Sequence, residues 1–533
     1  MPRYAPVQNT FRARRSLGPS GLRSLTLVIS LSAACVVTPV NPPPVPPPLP
    51  PHWSAVPPLP LDERIRTNQL GFQPAQPKHV AAVWPSAAPL PAAERVFHIV
   101  PLDTPWKPAL VGALVDLGVD ADSGEHVLRG DFSALQTPGH YRVVLPRRGY
   151  SAPFRIHSEV YRDVLRLATR FFYLQRSGAA KDDPLTGLRH GADYAEPAPS
   201  RTALDGRGRV PPTAQRRDVS GGWWDAGDFG RTAGFAGALS EASVVYRQVD
   251  PPFSVSLRQA AERAWRFLQT HPDKLPALGF KNPDDPNGGD YSIKDGDENE
   301  LRLWAAAGLL HATGERVYAE EAARRWLHQT AMRRCGLGWP CGSTFAMVAY
   351  LDSGSADVAL QEQMRRELAA QAAAILRTVG GTAYEVALKG TTPPLGYDWG
   401  SVGQVLDSAT LLLLANQQHP DPQLVAGAAA QLSWVLGHNP LSKAFITGAG
   451  HNPVRAPHHR PSNFLGAPIP GAVGEGPNAM SIGGDPVLQQ LFDQKLPPAL
   501  RYADDAGSWA TNEPTIYYNA AFVAVASWFT PKE

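Results

Sequence analysis

Cysteine is scarce in this chain, with 3 residues in 533. Beyond the N-terminal segment only Cys335 and Cys341 remain, close together in the sequence CGLGWPC. In an oxidising compartment these two thiols can form one disulfide that closes a small loop. Their spacing permits this bond without proving it, so a disulfide and a pair of free thiols both stay open.

An excess of charge of one sign is also missing, because 50 Lys and Arg residues face 48 Asp and Glu residues. A nucleic-acid or anionic membrane surface calls for a clear basic excess, so neither is expected as a partner. Proline and glycine are abundant, at 54 and 47 residues. Many ordered loops must therefore join the regular elements, and such loops often carry function.

The apolar run near the N-terminus, residues 25–34, is too short for a membrane-spanning helix. It follows several arginines, so residues 1–35 are predicted to be an export signal. The run ends at Cys35 in a pattern similar to a lipoprotein cleavage site, but its leucine lies one place too far upstream. A lipid anchor at Cys35 and an unlipidated chain therefore both stay open. We expect a secreted, periplasmic or cell-surface protein.

Residues 36–61 are rich in proline and are predicted to form an extended spacer or a disordered leader. Short apolar runs bounded by Gly, Pro and Asp then follow at 79–84, 95–100, 111–115, 126–128 and 141–145. This spacing predicts a small β-sandwich over residues 62–157. No catalytic constellation is evident in it, and its expected role is to pack against the next domain.

From residue 158 onwards the apolar spacing becomes helical. The predicted helices are 160–175, 229–246, 255–270, 298–313, 318–329, 361–379, 402–416, 424–436 and 519–529. Long loops separate them and no convincing strands are seen, which predicts a large all-α domain over residues 158–533. Loops that gather at one end of a ring of helices would bring distant residues together.

The stretch GGWWDAGDFGRTAGFAGAL, residues 221–239, is the centre around which we expect the site to be organised. Asp228 precedes a helical pattern, and a helix N-terminus favours an ionised carboxylate, as a base requires. Asp225 lies one turn earlier in the same DAGD motif. Trp223 and Trp224 offer flat apolar faces on which a sugar ring can lie. The alternative is a helix-capping aspartate beside core tryptophans.

A second loop ends in His458, His459 and Arg460. These side chains are suited to hydrogen-bond sugar hydroxyls or to orient a carboxylate. Zinc binding is the rival interpretation, but adjacent histidines without a nearby Cys or acidic ligand are a weak metal pattern.

The third loop, residues 502–520, contains Asp504, Trp509, Glu513 and Tyr517. Glu513 precedes Pro514, which biases its backbone to extended geometry at the edge of the last helix. A carboxyl held among aromatic rings has a raised pKa and stays protonated, as a general acid requires. A plain loop carboxylate is the alternative for Glu513.

Two further features have open interpretations. The acidic loop 282–300 offers oxygen ligands for a structural calcium ion, although helix capping and solvated acids explain it as well. Trp399, in the sequence YDWG, is either a sugar platform or a core residue.

In these loops the chain resembles glycoside hydrolase family 9, the inverting β-1,4-glucanases. Residues 447–460 and 502–520 are similar to the two family signatures, DAGD matches the base motif, and IRTNQLGF resembles the start of the immunoglobulin-like domain of many bacterial members. The resemblance covers residues 63–530. It implies an immunoglobulin-like β-sandwich followed by an (α/α)6 barrel.

The resemblance implies that Asp228 is the general base, that Asp225 helps to hold the attacking water, and that Glu513 is the general acid. An inverting enzyme needs its two carboxyls roughly 6.5 to 9.5 Å apart, to leave room for water. We predict that separation for Asp228 and Glu513.

The resemblance also assigns roles around the cleavage point. His458 and Arg460 would bind the sugar, and Asp504 would support the acid or a substrate hydroxyl. The remaining candidates for substrate contact are His459, Trp223, Trp224, Trp399, Trp509 and Tyr517.

The predicted function is an exported hydrolase that cleaves β-1,4-linked glucan with inversion and without a redox or organic cofactor. In the last signature Ala506-Gly507 and Pro514-Thr515 depart from the common family residues, which puts substrate preference in doubt. The alternatives are an exo-acting β-glucosaminidase or cello-oligosaccharide hydrolase and a catalytically inactive carbohydrate-binding protein. A monomer is expected.

Overall fold

The computed structural model describes residues 60–84, 90–91, 94–105, 107–146, 148–175, 180–191, 216–217, 223–224, 229–248, 250–270, 295–327, 342–354, 357–391, 396–480 and 484–531. The predicted export signal, Cys35, most of the proline-rich segment, Cys335 and Cys341 lie outside these residues.

Nine short strands form the N-terminal domain. They are β1 (Ile65–Arg66), β2 (Gly71–Phe72), β3 (His79–Trp84), β4 (Val96–Pro101), β5 (Leu110–Val119), β6 (His126–Asp131), β7 (Gly139–Leu145), β8 (Gly149–Tyr150) and β9 (Phe154–Ile156). The first part of β5 pairs with β4 and its second part pairs with β6, so this strand passes from one sheet to the other. The predicted β-sandwich is confirmed in outline.

A cluster of phenylalanines fills the space between the two sheets. The ring of Phe132 lies 5.4 Å from that of Phe72, at an interplanar angle of 90°, and 5.5 Å from that of Phe154. Aromatic pairs favour such edge-on or tilted contacts, and all three rings are buried. Alternating apolar residues on the strands therefore supply a core of their own for this domain.

Helices dominate the rest of the chain. They are α1 (Arg162–Leu174), α2 (Phe229–Tyr246), α3 (Pro251–Thr270), α4 (Asp295–Thr313), α5 (Arg316–Leu327), α6 (Ser343–Asp352), α7 (Val358–Gly380), α8 (Ser401–Gln418), α9 (Pro422–Val435), α10 (Arg460–Leu465), α11 (Pro486–Asp493), α12 (Trp509–Asn512) and α13 (Ile516–Trp528). Helix α2 packs closely on α4 at Gly237. A side chain there would not fit, because its Cβ would lie 2.6 Å from the ring of Trp304.

Six short strands lie in the described part of the helical domain, which corrects the expectation of no convincing strands there. They form the pairs β10 (Lys181–Asp183) with β11 (Leu188–His190), β12 (Arg216–Arg217) with β13 (Trp223–Trp224), and β14 (Ala444–Thr447) with β15 (Pro453–Val454). Each is too short to produce an alternating pattern that stands out in the sequence. The last pair matters most, since it supports the loop that leads to His458.

Gln69, in the turn between β1 and β2, connects the two domains at that loop. Its amide oxygen accepts hydrogen bonds from the backbone N–H groups of His451 and Asn452, at 2.8 and 2.9 Å. Its amide nitrogen donates to the carbonyl of Ser442 at 2.8 Å. The approach requires glycine at position 450, where φ is +88° and a Cβ would lie 2.9 Å from the Gln69 oxygen. The sandwich thus holds a loop of the candidate site.

Candidate active site

Glu513 lies between helices α12 and α13, where its backbone is extended with φ −78° and ψ 121°. Pro514 follows it and Thr515 caps α13 by accepting a hydrogen bond from the amide of Tyr518. The extended geometry predicted for Glu513 is confirmed. Its side chain therefore projects from a short loop at the helix edge.

The Glu513 carboxyl is half-buried, and this burial favours its protonated form. Burial raises the pKa of Glu513 above its ordinary value, while the positive charges of His458 and Arg460 oppose that shift. Because burial outweighs them, this group keeps its proton at a pH where an exposed glutamate has lost it. A carboxyl of this kind is suited to donate a proton to a leaving group.

His458 is fixed by backbone contacts on two sides. Its N–H donates to the carbonyl of Asn512 at 2.9 Å, and its Nδ1 lies 2.6 Å from the carbonyl oxygen of Ala506. A carbonyl only accepts, so Nδ1 carries a proton. The other ring nitrogen, Nε2, is the one left for a ligand. This orientation fits the predicted role of His458 beside Glu513.

Asp504 lies under the His458 loop. Its carboxylate accepts from the amides of Arg455 and Ala456, at 3.0 and 2.8 Å, and from Lys443 Nζ at 2.5 Å. Although burial opposes ionisation, the lysine and the two amides hold the pKa of Asp504 below its ordinary value. Both oxygens are thus engaged by the protein. Asp504 supports the loop that carries His458, and its predicted role towards the acid or a substrate hydroxyl stays a prediction.

His459 and Arg460 point to different surroundings. The Nδ1 of His459 lies 2.9 Å from the Ser462 hydroxyl and its Nε2 lies 3.3 Å from the side-chain oxygen of Gln175. Burial lowers the pKa of His459 to about 4, so the ring is neutral. Both ring nitrogens of His459 have protein partners, and its predicted sugar contact stays a prediction. Arg460 is exposed at the start of α10.

Aromatic side chains form one wall beside the acid. Trp399 is 41% exposed, which rules out the core alternative considered from the sequence. Its ring lies 5.0 Å from that of Trp509, at an angle of 46°. Tyr517 is 43% exposed at the start of α13. These flat surfaces are the type on which a sugar ring packs.

Glu475 is a site residue that the sequence did not reveal. Its carboxyl accepts hydrogen bonds from the indole N–H of Trp399 and, at 3.3 Å, from the backbone N–H of Glu513. The side chain is buried, and burial followed by the nearby charge of Glu513 raises the pKa of Glu475 to about 9. One acidic residue in the small-residue run GAVGEGPNAM was the only hint in the sequence.

The predicted base Asp228, and Asp225, which is predicted to help hold the water, lie outside the described residues, so the separation predicted for Asp228 and Glu513 stays a prediction. Helix α2 begins at Phe229, directly after Asp228, where a helix was expected. For Trp223 and Trp224 the structure describes only the backbone, as strand β13 paired with β12.

The described residues also bear on metal binding and on membrane insertion. No group of three His, Cys, Asp or Glu side chains is placed there to hold a metal ion. Most of the acidic loop considered for calcium, up to residue 294, is not among those residues. Of the helices in the described ranges, none combines the length and apolar character needed to cross a membrane.

A half-buried carboxyl with a raised pKa, close to a histidine, an arginine and an exposed indole, is typical of an enzyme that cleaves carbohydrates. The model of Glycosyl hydrolase family 9 matches residues 161–233 and 230–526, and that of the cellulase N-terminal ig-like domain matches residues 61–149. The chain therefore belongs to glycosyl hydrolase family 9, and the resemblance drawn from the sequence is confirmed. The detailed arrangement of its helices as an (α/α)6 barrel stays a prediction.

Several known proteins are similar to this chain. Endoglucanase C of Cellulomonas fimi is 25% identical over 593 residues, which cover 87% of this chain and 52% of the relative. The cellodextrinase of Butyrivibrio fibrisolvens is 25% identical, over 87% of this chain and 99% of the relative. A crystal structure of a metagenome-derived glycoside hydrolase family 9 endoglucanase has a TM-score of 0.72 and 26% identity, covering 87% of this chain and 98% of its own. The chain spans about half the length of Endoglucanase C.

Proposed function

We propose that this chain is an exported hydrolase that cleaves β-1,4-linked glucan with inversion at the anomeric carbon. The observation that carries the proposal is Glu513, a half-buried carboxyl with a raised pKa beside His458, Arg460 and the Trp399 indole. The names of the similar proteins, endoglucanases and a cellodextrinase, support the β-glucan substrate. Export rests on residues 1–35.

The proposed reaction moves two protons. Glu513 gives its proton to the glycosidic oxygen as the bond from that oxygen to the anomeric carbon breaks. A water oxygen bonds to the same carbon from the opposite face, and Asp228 takes the proton that this water loses. Asp228 suits this role because helix α2 starts at the next residue, and the positive end of a helix stabilises a carboxylate. Asp225 would orient the water.

The first test compares wild type with Asp228→Asn and Glu513→Gln by reducing-sugar release from carboxymethylcellulose. We expect each substitution to lower kcat by at least about a hundredfold, the usual size of a general acid or base contribution. Asp505→Asn is the matched control, because it removes an exposed carboxylate from the same loop as Glu513. Full activity in Glu513→Gln would refute the assignment of the acid.

A substrate whose leaving group needs no proton distinguishes loss of the general acid from a general loss of enzyme activity. A dinitrophenyl β-cellobioside releases a phenolate that needs no proton, so Glu513→Gln should retain far more activity on it than on cellulose. Asp228→Asn should lose activity on both substrates. Proton NMR of the first product should show the α-anomer, and a β-anomer would refute inversion.

An exo-acting hydrolase of short oligosaccharides is the second candidate function. It is favoured by the cellodextrinase similarity, which extends over 99% of that relative. Parallel assays on carboxymethylcellulose, cello-oligosaccharides and chitosan oligosaccharides would decide the substrate. A fast drop in viscosity per reducing end would indicate endo action, and release from chitosan oligomers alone would overturn the glucan assignment.

A further inference from the structure

The segment that carries Glu475 is held firmly beneath the candidate site. The backbone carbonyl of Glu475 accepts from the N–H of Val402 at 2.8 Å. The N–H of the next residue, Gly476, donates to the backbone carbonyl of Thr511 at 3.0 Å. Gly476 has φ +92°, and a Cβ there would lie 2.5 Å from a methyl carbon of Val402. The two hydrogen bonds hold the segment between the start of α8 and the α12 turn, and only glycine fits the close approach at position 476.

From this position the Glu475 side chain reaches two parts of the site. One carboxyl oxygen accepts from the indole N–H of Trp399 and lies 3.4 Å from the hydroxyl of Tyr518. The other accepts from the backbone N–H of Glu513 at 3.3 Å. Glu475 is only 1% exposed, so no substrate touches it and its effect must pass through these partners.

We propose that Glu475 is a positioning residue of this enzyme, which uses one buried carboxyl to fix both the Trp399 sugar platform and the backbone of the acid Glu513. The inference rests on the proposed function for its effect on substrate. An exposed indole that bonded only to water would be free to rotate, whereas the bond to Glu475 fixes the ring beside Trp509. A pre-ordered platform loses less side-chain entropy when a sugar binds.

The charge state of Glu475 suits this role. The titratable groups that face it are Glu513, Tyr517 and Tyr518. A second ionised carboxyl here would repel the carboxylate that Glu513 becomes after it gives up its proton. Because burial raises the pKa of Glu475 to about 9, the group is neutral below that pH and adds no such repulsion.

The test begins with the free enzyme, so that it does not depend on turnover. Trp399→Phe assigns the indole N–H signal of Trp399 in spectra of enzyme labelled with 15N-tryptophan. We expect this signal to move towards the position of water-exposed indoles in Glu475→Leu and to move less in Glu475→Gln, which keeps an acceptor oxygen. An unmoved signal in Glu475→Leu would overturn the proposal.

The second part of the test measures KM and kcat on the substrate that the wild-type enzyme hydrolyses in the assays described above. We expect Glu475→Leu to raise KM about tenfold, the loss expected for one buried hydrogen bond, while Glu475→Gln restores most of the affinity. Glu385→Gln is the control, because it alters a half-buried carboxylate at the domain junction that pairs with His79 and Arg129. If the indole signal moves but KM does not change, the proposed effect on substrate is refuted. If wild type is inactive on every glucan, the proposed function is refuted. The indole signal still shows in that case whether Glu475 binds the Trp399 N–H.

Discussion

Two carboxyls support the Glu513 region, the half-buried Asp504 and the fully buried Glu475, and they differ in charge. Asp504 has Lys443 Nζ at 2.5 Å and two backbone amides, which hold its pKa below the ordinary value against the effect of burial. Among the described residues, the hydrogen-bond partners of the Glu475 carboxyl are an indole, a backbone amide and a tyrosine hydroxyl, none of them a cation, and burial raises its pKa to about 9. The partner, not burial alone, decides the charge.

This difference suits what each group supports. The ionised Asp504 holds backbone amides of the His458 loop, for which a full negative charge is the strongest acceptor. The neutral Glu475 lies next to the proton donor, where a second negative charge would compete for the same proton. The site thus uses an ion pair under its sugar-binding loop and a neutral acid under its proton donor.

A large loss of stability at neutral pH is expected from breaking the ion pair. Lys443→Met leaves the half-buried carboxylate of Asp504 without its cation, which costs up to about 3 kcal/mol. Urea unfolding of Lys443→Met and of Lys389→Met, which removes an exposed lysine, would measure the difference. The control should change the free energy of unfolding by less than about 0.5 kcal/mol.

A second substitution sharpens the same measurement. Adding Asp504→Asn to Lys443→Met removes the buried charge itself, so the double variant should be more stable than the sum of the two single losses predicts. Simple additivity would show that the two side chains do not act as a pair.

The second prediction concerns how stability depends on pH. The folded-state pKa of Glu475, about 9, lies above its ordinary value of 4.5, so its contribution is complete below pH 4.5 and is lost as pH rises towards 9. Asp504 has a lowered pKa, so its contribution is present above the ordinary 3.8 and is lost as pH falls through the folded-state value. A plot of stability against pH should therefore be flatter on the alkaline side in Glu475→Gln and flatter on the acid side in Asp504→Asn.

Unfolding by urea from pH 3 to pH 9 measures this contrast. The loss of stability between pH 5 and pH 9 should be smaller in Glu475→Gln than in wild type, by up to about 1.4 kcal/mol per pH unit. The loss on the acid side should be smaller in Asp504→Asn. Equal pH slopes for Glu475→Gln and wild type above pH 5 would contradict a neutral Glu475.

Local sequence patterns predicted the elements that depend on neighbours in the chain. Strand β3 and helix α2 have the predicted limits, and Glu513 has the extended backbone that its proline demands. Helix α6 was missed because nearly every position in STFAMVAYLD is buried, which removes the polar positions that reveal a helical period. Such a helix looks like any other apolar run.

The charge states of the site could not be predicted, because they depend on distant partners. Glu475 meets Trp399 and Glu513, which are 76 and 38 residues away, and Asp504 meets Lys443, 61 residues away. The sequence showed Asp504 as a conspicuous acid in a recognised signature, whereas Glu475 stood alone in a small-residue run. Only the fold shows that the first supports a loop and the second contacts the acid.

The smallest expected effect comes from Arg460, whose exposed charge is screened by water and salt. The positive charge of Arg460 lowers the pKa of Glu513, against the larger effect of burial. A general acid must be protonated, so activity falls as pH rises through the pKa of Glu513. Arg460→Met should therefore move the alkaline limb of kcat/KM to higher pH, and added salt should move the wild-type limb in the same direction. Because Arg460 is also a candidate sugar ligand, a higher KM with an unmoved limb would assign it to substrate binding alone.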